Sequence, residues 1–116
     1  MGRYLHIGGL VAVGFDPGAE YLLVVTHSGR GVFSTRTWDR VARSYELAYP
    51  KAGVCIGIGP IGGMYIPVTE MNYETGEMRV ESPDGRFVLD CESSGIAVTD
   101  TDEVAESPAD SDEPPN

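Results

Sequence analysis

Most of the chain alternates between short apolar runs and clusters of glycine, proline, serine and aspartate. Two such stretches, 17–33 and 83–99, align without a gap. In both, a proline is followed four positions later by an aromatic residue that opens an apolar run, and a Ser-Gly pair separates this run from a second one. Turn residues at fixed offsets between β-prone runs are typical of hairpins. The sequence therefore predicts two similar β-hairpins, 66 positions apart.

Further β-prone runs surround the two hairpins. They lie at 6–15, 53–59, 64–71 and 72–82, and turn residues bound each of them. Short runs at this spacing are typical of antiparallel all-β domains. We therefore predict an all-β fold, an antiparallel meander of about nine or ten short strands. Its blade-like hairpins would form a small sandwich or barrel, or an incomplete propeller.

One segment, 38–49, fits two structures. Its apolar residues recur at the spacing of one helix face, Thr37 is a suitable N-cap, and Pro50 would end the helix. Comparison with 75–78 instead predicts a turn and a strand here, because 37–40 also begin with threonine and also follow a predicted strand. Since tertiary contacts often override helix propensity, a single helix and a strand both stay open. The apolar residues concerned are Trp38, Val41, Ala42, Tyr45, Ala48 and Tyr49.

Acidic residues are concentrated at the end of the chain. The net charge is −10, from 18 acidic and 8 basic residues, and seven of the acids follow Thr99. The stretch 100–116 contains no aromatic residue, a single valine and three prolines. Such a composition cannot bury enough apolar surface to offset the entropy of ordering the chain. We predict an all-β domain over 1–99 and a disordered acidic tail over 100–116.

The charge and the apolar runs also limit the partners. A net negative charge argues against direct nucleic-acid binding, which depends on Lys and Arg at phosphates, and it suits a basic protein partner. No run reaches the ~18 apolar residues that a membrane span needs, and no signal-peptide cleavage site follows the first apolar run. We expect a cytoplasmic protein without membrane association, whose partner is another protein or a second copy of itself.

Three glycines, Gly57, Gly59 and Gly62, have the spacing of a dinucleotide-binding fingerprint. In such sites the glycines connect a strand to a helix whose N-terminus faces the pyrophosphate. Here Pro67 would interrupt the helix, and the β-branched residues around it prefer a sheet. We interpret the segment as a glycine-rich turn between two strands, and we predict no cofactor.

Residues able to bind a metal or act in catalysis are few and far apart in the sequence. His6, His27, Cys55 and Cys91 lack the close spacing of a zinc site, and no nucleophile has a base in a suitable position. We therefore predict neither a metal site nor enzymatic activity. Each cysteine lies in an apolar run, where a free thiol packs as a small hydrophobe; a Cys55–Cys91 disulfide is the alternative.

Arginine and large aromatic residues are concentrated in the segment 36–49. Because these residue types dominate the energetics of protein interfaces, we predict that this segment contacts a partner. The alternative is that the tryptophan and the tyrosines belong to the core while the arginines face solvent. The candidate binding residues are Arg36, Trp38, Arg40, Arg43, Tyr45 and Tyr49.

The order of turns and strands in 11–41 resembles a blade of a WD40-type β-propeller, and 82–100 resembles the inner part of such a blade. The shared features are a Pro-Asp-Gly-like turn, a strand, a Ser-Gly turn and a second β-branched strand. The chain departs from the family because it lacks the Gly-His pair and Trp38-Asp39 lies beyond the third strand. Its repeat of 66 residues also exceeds the usual ~40 to 45. Since a closed ring takes at least about four blades, two blades would have to pack as a sandwich or be completed by further copies.

Three functions are compatible with these features. The first is a non-catalytic protein-interaction module that binds another protein or self-assembles. The alternative is an acidic immunity or inhibitor protein that neutralises a basic target with its tail and its acidic turns. The third, an enzyme with a site that the sequence does not reveal, would need a concave pocket with converging polar groups.

Overall fold

The structure, a computed structural model, describes residues 2–101. This part of the chain is all-β, as predicted, and contains eleven strands. The tail predicted over 100–116 lies outside the described residues except for Asp100, which ends the last strand, and Thr101. The strands are β1 (Gly2–His6), β2 (Leu10–Phe15), β3 (Tyr21–Thr26), β4 (Gly29–Ser34), β5 (Arg40–Ser44), β6 (Val54–Ile56), β7 (Tyr65–Pro67), β8 (Thr69–Glu70), β9 (Glu77–Glu81), β10 (Phe87–Glu92) and β11 (Gly95–Asp100).

The strands form three antiparallel sheets, none of them closed. The outer sheet has the order β1-β11-β10-β9, the central sheet β5-β4-β3-β2-β8, and the small sheet pairs β6 with β7. In the outer sheet, the first strand, β1, pairs with the last strand, β11, and Leu5 lies opposite Ile96. Contacts between opposite ends of the described chain therefore complete this sheet.

The internal repeat of the sequence is also a repeat of strand pairing. The strands β3 and β4 begin and end 66 positions before β10 and β11. The preceding strands repeat as well: Phe15 lies opposite Leu22 in the central sheet, and Glu81 lies opposite Val88 in the outer sheet. The central and outer sheets thus contain the same three-stranded meander, in the same register except at a bulge between Leu10 and Ala12. The last strand of the meander pairs with β5 in the central sheet and with β1 in the outer sheet, and β8 adds a fifth strand to the central sheet.

The turns that start both hairpins use the same geometry with different side chains. The Oδ1 atom of Asp16 accepts hydrogen bonds from the backbone N–H groups of Glu20 and Tyr21, each at 2.8 Å. Sixty-six positions later, Ser82 Oγ accepts one from the N–H of Phe87 at 2.9 Å. Asp and Ser both satisfy turn N–H groups in this way, so the two turns stay equivalent despite the exchange.

The hydrophobic core has two parts, one on each face of the central sheet. Because both faces are covered, β2 is buried along its whole length, and β3 is buried at its four middle residues. The larger part lies against the outer sheet and contains Leu5, Leu10, Val13, Phe15, Leu22, Val24, Phe33, Trp38, Met71, Phe87, Leu89, Cys91, Ile96 and Val98. The smaller part lies against the small sheet and contains Val11, Ala12, Leu23, Val25, Val32, Cys55, Ile61 and Ile66.

Within the segment 38–49, residues 40–44 form strand β5 and the others are irregular, so the helix that its periodicity allowed is absent. The open edge of β4 pairs with 40–44 instead, and Ala42 lies opposite Val32. Trp38 precedes the strand with a backbone φ of 62°, a conformation that costs energy for a residue with a Cβ. Its ring is buried against Phe87, with ring centroids 5.2 Å apart in an edge-on arrangement. Tertiary pairing and this aromatic contact therefore override the local helix propensity.

The two cysteines are free thiols on opposite sides of the central sheet. Cys91 packs in the larger core and Cys55 in the smaller, so the fold as described excludes the disulfide alternative. Burial raises the pKa of the Cys91 thiol to about 12, and the neighbouring Asp90 carboxylate adds to the shift. Burial also raises the pKa of the Cys55 thiol, although the Arg30 charge opposes this.

We predict that neither thiol of the folded chain reacts readily with Ellman's reagent at pH 8. The thiolate is the reacting species, and a group with a pKa of about 12 is ionised in about one molecule in 10,000 at that pH. Denaturation in guanidinium should release two reactive thiols. Rapid reaction of Cys91 before denaturation would contradict its burial, and no reaction after denaturation would reveal a disulfide.

Candidate functional site

A cleft opens where one end of the outer sheet meets the central sheet, and its volume is about 240 Å³. The connection between β1 and β2 contributes one wall, and β3, β4 and β5 contribute the other. We call it the arginine cleft. Its lining residues are His6, Ile7, Gly8, Val24, Thr26, Ser28, Gly29, Arg30, Gly31, Phe33, Arg40, Arg43, Ser44 and Tyr45.

A β-bulge directs two arginines into the same cleft. In a regular strand, residues three positions apart point to opposite faces of the sheet. The pairing of β4 with β5 shifts between Val32 and Phe33, so Arg40 lies opposite Phe33 and Arg43 lies opposite Gly31. The extra residue is Val41, and it restores the two arginines to one face. The bulge therefore brings together two cations that a continuous strand would separate.

Glycines of β4 provide the space that the arginines use. A Cβ atom built on Gly31 would lie 3.4 Å from Cδ of Arg40, in contact with its side chain. At Gly29 a Cβ atom would collide with the Ser44 carbonyl oxygen, and the backbone φ of 140° also favours glycine. The floor of the cleft therefore includes the backbone of Gly29, against which the β5 backbone packs, and of Gly31, against which the Arg40 side chain lies.

The aromatic ring of Tyr45 holds Arg43 at the cleft wall. Arg43 Nη1 donates a hydrogen bond to the Tyr45 hydroxyl at 2.8 Å, and its guanidinium lies 5.3 Å from the centre of the same ring. Both contacts reduce the number of side-chain conformations that the arginine adopts, and neither neutralises its charge. The guanidinium is thus partly preorganised and still cationic.

The charge of the cleft is opposite to that of the chain. None of the described residues that line it is Asp or Glu. Arg30 also lines the cleft, but its guanidinium donates to the Ile56 carbonyl at 3.0 Å and pairs with Glu46 at 3.4 Å. Within 2–101, Arg40 and Arg43 have no carboxylate partner. Within the described residues, the cleft of this acidic chain therefore holds two positive charges without a carboxylate partner.

The hydroxyl groups in the cleft take part in local turns. Thr26 Oγ1 donates to the Gly29 carbonyl at 3.2 Å and accepts from the Ser28 N–H at 3.1 Å. Ser44 Oγ accepts from the Glu46 N–H at 3.2 Å. What faces a ligand is therefore mainly guanidinium, imidazole, aromatic ring and backbone. This set suits the binding of an anion.

Three of the six predicted binding residues meet in the cleft, namely Arg40, Arg43 and Tyr45. The other three lie elsewhere. Trp38 is a core residue, and Arg36 is exposed in the turn before β5. Tyr49 contacts His27 instead, with its hydroxyl 3.5 Å from the imidazole Nδ1.

His6, Gly29 and Gly31 also line the cleft, although none of them was among the candidate residues. His6 reaches the cleft because β1 pairs with β11, which is about 90 positions away in the sequence. Its ring also packs edge-on against Tyr4, with centroids 4.8 Å apart. Gly29 and Gly31 did leave a signal, since glycine at alternate positions of a predicted strand indicates close approach of a neighbouring group.

The glycine-rich segment at 57–62 has a structural role. It connects β6 to β7 through a short 3-10 turn at Gly59–Ile61, as the prediction of a turn between two strands requires. A Cβ atom on Gly57 would collide with the Ile61 carbonyl oxygen, and one on Gly59 would collide with the Ala42 side chain. These glycines therefore allow the turn to pack on the central sheet.

A second, more open depression, with a volume of about 630 Å³, lies on the exposed face of the outer sheet. Its charged residues are Glu77, Arg79, Asp90 and Glu92, and Arg79 pairs with Asp90 at 3.5 Å. Within residues 2–101, no three His, Cys, Asp or Glu side chains are grouped so that they could hold a metal ion. Nor does this part of the chain form a helix with the length and hydropathy needed to cross a membrane.

Searches of family models, of curated proteins and of solved structures each found no match to this chain. The function of the arginine cleft therefore has to be inferred from its own residues.

The two aromatic residues of the segment should respond differently to substitution. We expect Trp38→Ala to lower the free energy of unfolding by about 3–5 kcal/mol, because it removes a large buried side chain. Tyr45→Ala should change it by less than about 0.5 kcal/mol, since Tyr45 is 73% exposed. Urea denaturation followed by circular dichroism measures both values.

If Trp38→Ala fails to fold, Trp38→Phe keeps an aromatic ring next to Phe87 and should lose less stability. Equal stability of Trp38→Ala and the wild type would show that Trp38 does not belong to the core.

Proposed function

We propose that this protein is a non-catalytic interaction module that binds an acidic segment of a protein partner in the arginine cleft. The observation that carries the proposal is the pair of cations at Arg40 and Arg43, which lie on one face of β5 and lack a carboxylate partner in 2–101. Arginine forms bidentate hydrogen bonds with carboxylates, so two such groups can recognise two acidic side chains.

The size and shape of the cleft favour a peptide segment as the ligand. A volume of about 240 Å³ accommodates a few side chains, and the glycine floor exposes backbone to the ligand. The ring of Tyr45 is largely exposed at the rim and offers apolar contact beside the charges. A ligand that combines carboxylates with small side chains would use all three features.

The expected affinity is modest. Exposed ion pairs contribute about 0.2–1 kcal/mol each, and bidentate geometry increases this contribution. Two such pairs supply at most about 2 kcal/mol, so a dissociation constant of about 0.1–1 mM, which corresponds to about 4–5.5 kcal/mol, requires bidentate geometry and apolar contacts to supply the rest. Tighter binding would require a partner that also covers surface outside the cleft.

The likeness to WD40 blades is part of this proposal. The repeated three-stranded meander in the central and outer sheets, which pack face to face and each add a strand next to the last strand of the meander, supports it. A further copy of the chain is not expected to pack on the exposed face of the outer sheet. The positions equivalent to the buried Val13, Phe15 and Val24 are charged on the outer sheet, namely Arg79, Glu81 and Asp90. Charged outer faces are typical of the terminal unit of a repeat array.

The acidic inhibitor is a second candidate, supported by a different surface. On the exposed side of the outer sheet, Glu77, Glu81, Asp90 and Glu92 outnumber Arg79. This surface would attract a basic target, with a strong dependence on ionic strength. It lies on the other face of the outer sheet from the core, so the two candidate surfaces can be tested separately.

The first test is fluorescence anisotropy with a labelled peptide of alternating Glu and Ser. We expect Arg43→Glu in the full chain to weaken binding by about tenfold or more, because it replaces an attraction with a repulsion. Arg36→Glu is the matched control, since it makes the same charge change outside the cleft and should change the dissociation constant by less than about twofold. Binding should also weaken as the salt concentration rises.

A steric variant separates shape from charge. Gly31→Val keeps the net charge and places a side chain against Arg40, so it should weaken binding about as much as Arg43→Glu. A peptide of alternating Gln and Ser, equal in length, should not bind. Equal effects of Arg36→Glu and Arg43→Glu would refute the proposed site.

A further inference from the structure

The acidic segment that follows the fold is complementary to the arginine cleft. Residues 102–116 contain six acidic residues and no basic one. The residues between these acids are valine, alanine, serine and proline, so the segment combines carboxylates with small side chains, the ligand composition that the cleft favours. We infer that segment 102–116 occupies the arginine cleft of its own chain and competes there with the acidic partner.

This inference rests on the proposed function of the cleft and adds an occupant and a form of regulation. Three observations support it: the charge of the segment, its length, and the place where the described chain ends.

The end of the described chain lies within reach of the cleft. His6, at the cleft, is paired with Gly95 at the start of β11, and Asp100 ends the same strand. Five residue steps along a strand correspond to about 17 Å. Fifteen residues span up to about 50 Å when extended, so segment 102–116 can return along the outer sheet and place several carboxylates at the arginines.

Attachment to the same chain makes a weak contact effective. A short flexible linker gives the attached ligand an effective concentration of about 1 mM. If the segment binds the cleft with a dissociation constant of about 0.1 mM, it occupies most clefts and weakens the binding of a competing peptide about tenfold. Partners with a longer or more acidic segment would displace it, so the segment would set a threshold for binding.

The test compares two full-length variants that carry the same charge. In the first, Glu106→Gln, Asp110→Asn, Asp112→Asn and Glu113→Gln remove four acids from the segment. In the second, Glu70→Gln, Glu74→Gln, Glu77→Gln and Glu81→Gln remove four exposed acids from the fold. Both variants have a net charge of −6 instead of −10, so general repulsion of an acidic probe falls equally.

We expect the segment variant to bind the Glu/Ser peptide about five to ten times more tightly than the wild type. The fold variant should gain less than about twofold. Equal gains in the two variants would overturn the inference and leave the cleft as a binding site, provided that Arg43→Glu still weakens binding. If no protein binds the peptide, the proposed function fails, and a second measurement decides the inference.

That measurement is nuclear magnetic resonance of the free proteins. Occupation by the chain's own segment should shift the amide signals of Gly29 and Gly31 between the wild type and the segment variant, because these glycines form the cleft floor. The amide signal of Gly76, in the turn before β9, should stay unchanged. Absence of shifts at Gly29 and Gly31 would overturn the inference.

Light scattering tests whether segment 102–116 binds the cleft of its own chain or that of a second copy. The wild type and the segment variant should have the same mass over a dilution series. A dimer in the wild type that dissociates in the segment variant would show that the segment docks on a second copy, and it would overturn the placement on its own chain.

Discussion

Burial of the central sheet on both faces is the constraint on which the rest of the fold depends. The strands β2 and β3 carry apolar side chains in both directions, so neither face tolerates water. One face is covered by the outer sheet, and the other by the small sheet with the 3-10 turn. In a chain of 116 residues few residues remain for a further layer, and most of the apolar strands contribute to these two parts of the core.

The cleft is a consequence of how the central sheet ends. β5 forms one edge of the central sheet, and three of its five residues, Arg40, Arg43 and Ser44, are polar. The bulge at Val41 places Arg40 and Arg43 on the face of the sheet that is turned toward the outer sheet. The aliphatic side of the strand still packs inward through Ala42, which meets the smaller core. The arginines are then left at the margin of the larger core, where the two sheets diverge. A single inserted residue therefore converts an ordinary edge strand into a cationic surface.

Opposite charges are thus separated in space within one small protein. The acids of the fold lie mainly on turns and on the exposed side of the outer sheet. Two arginines with no carboxylate partner within 2–101 share a cleft that lacks acids among its described lining residues. Arg30 shows the alternative arrangement, because it is buried and has both a carbonyl and a carboxylate partner. Burying a cation requires such partners, whereas exposed arginines can remain available for a ligand. This difference distinguishes the structural arginine from the two proposed to bind.

The sequence by itself determined the all-β class, the two hairpins and their offset, because turn residues and strand alternation are local signals. It also determined that the glycine-rich segment 57–62 is a turn, since Pro67 and its β-branched neighbours exclude a helix there. Arg40, Arg43 and Tyr45, three of the six candidate residues, line the proposed cleft, and the clustering of Arg and Tyr in 36–49 had marked them as candidates. Only the tertiary structure decided that this segment is a strand, that Trp38 is core, and that Arg40 and Arg43 face His6. These outcomes depend on pairing between β4 and β5, on a bulge, and on contact between the two ends of the described chain, and such non-local contacts leave no periodic trace in the sequence.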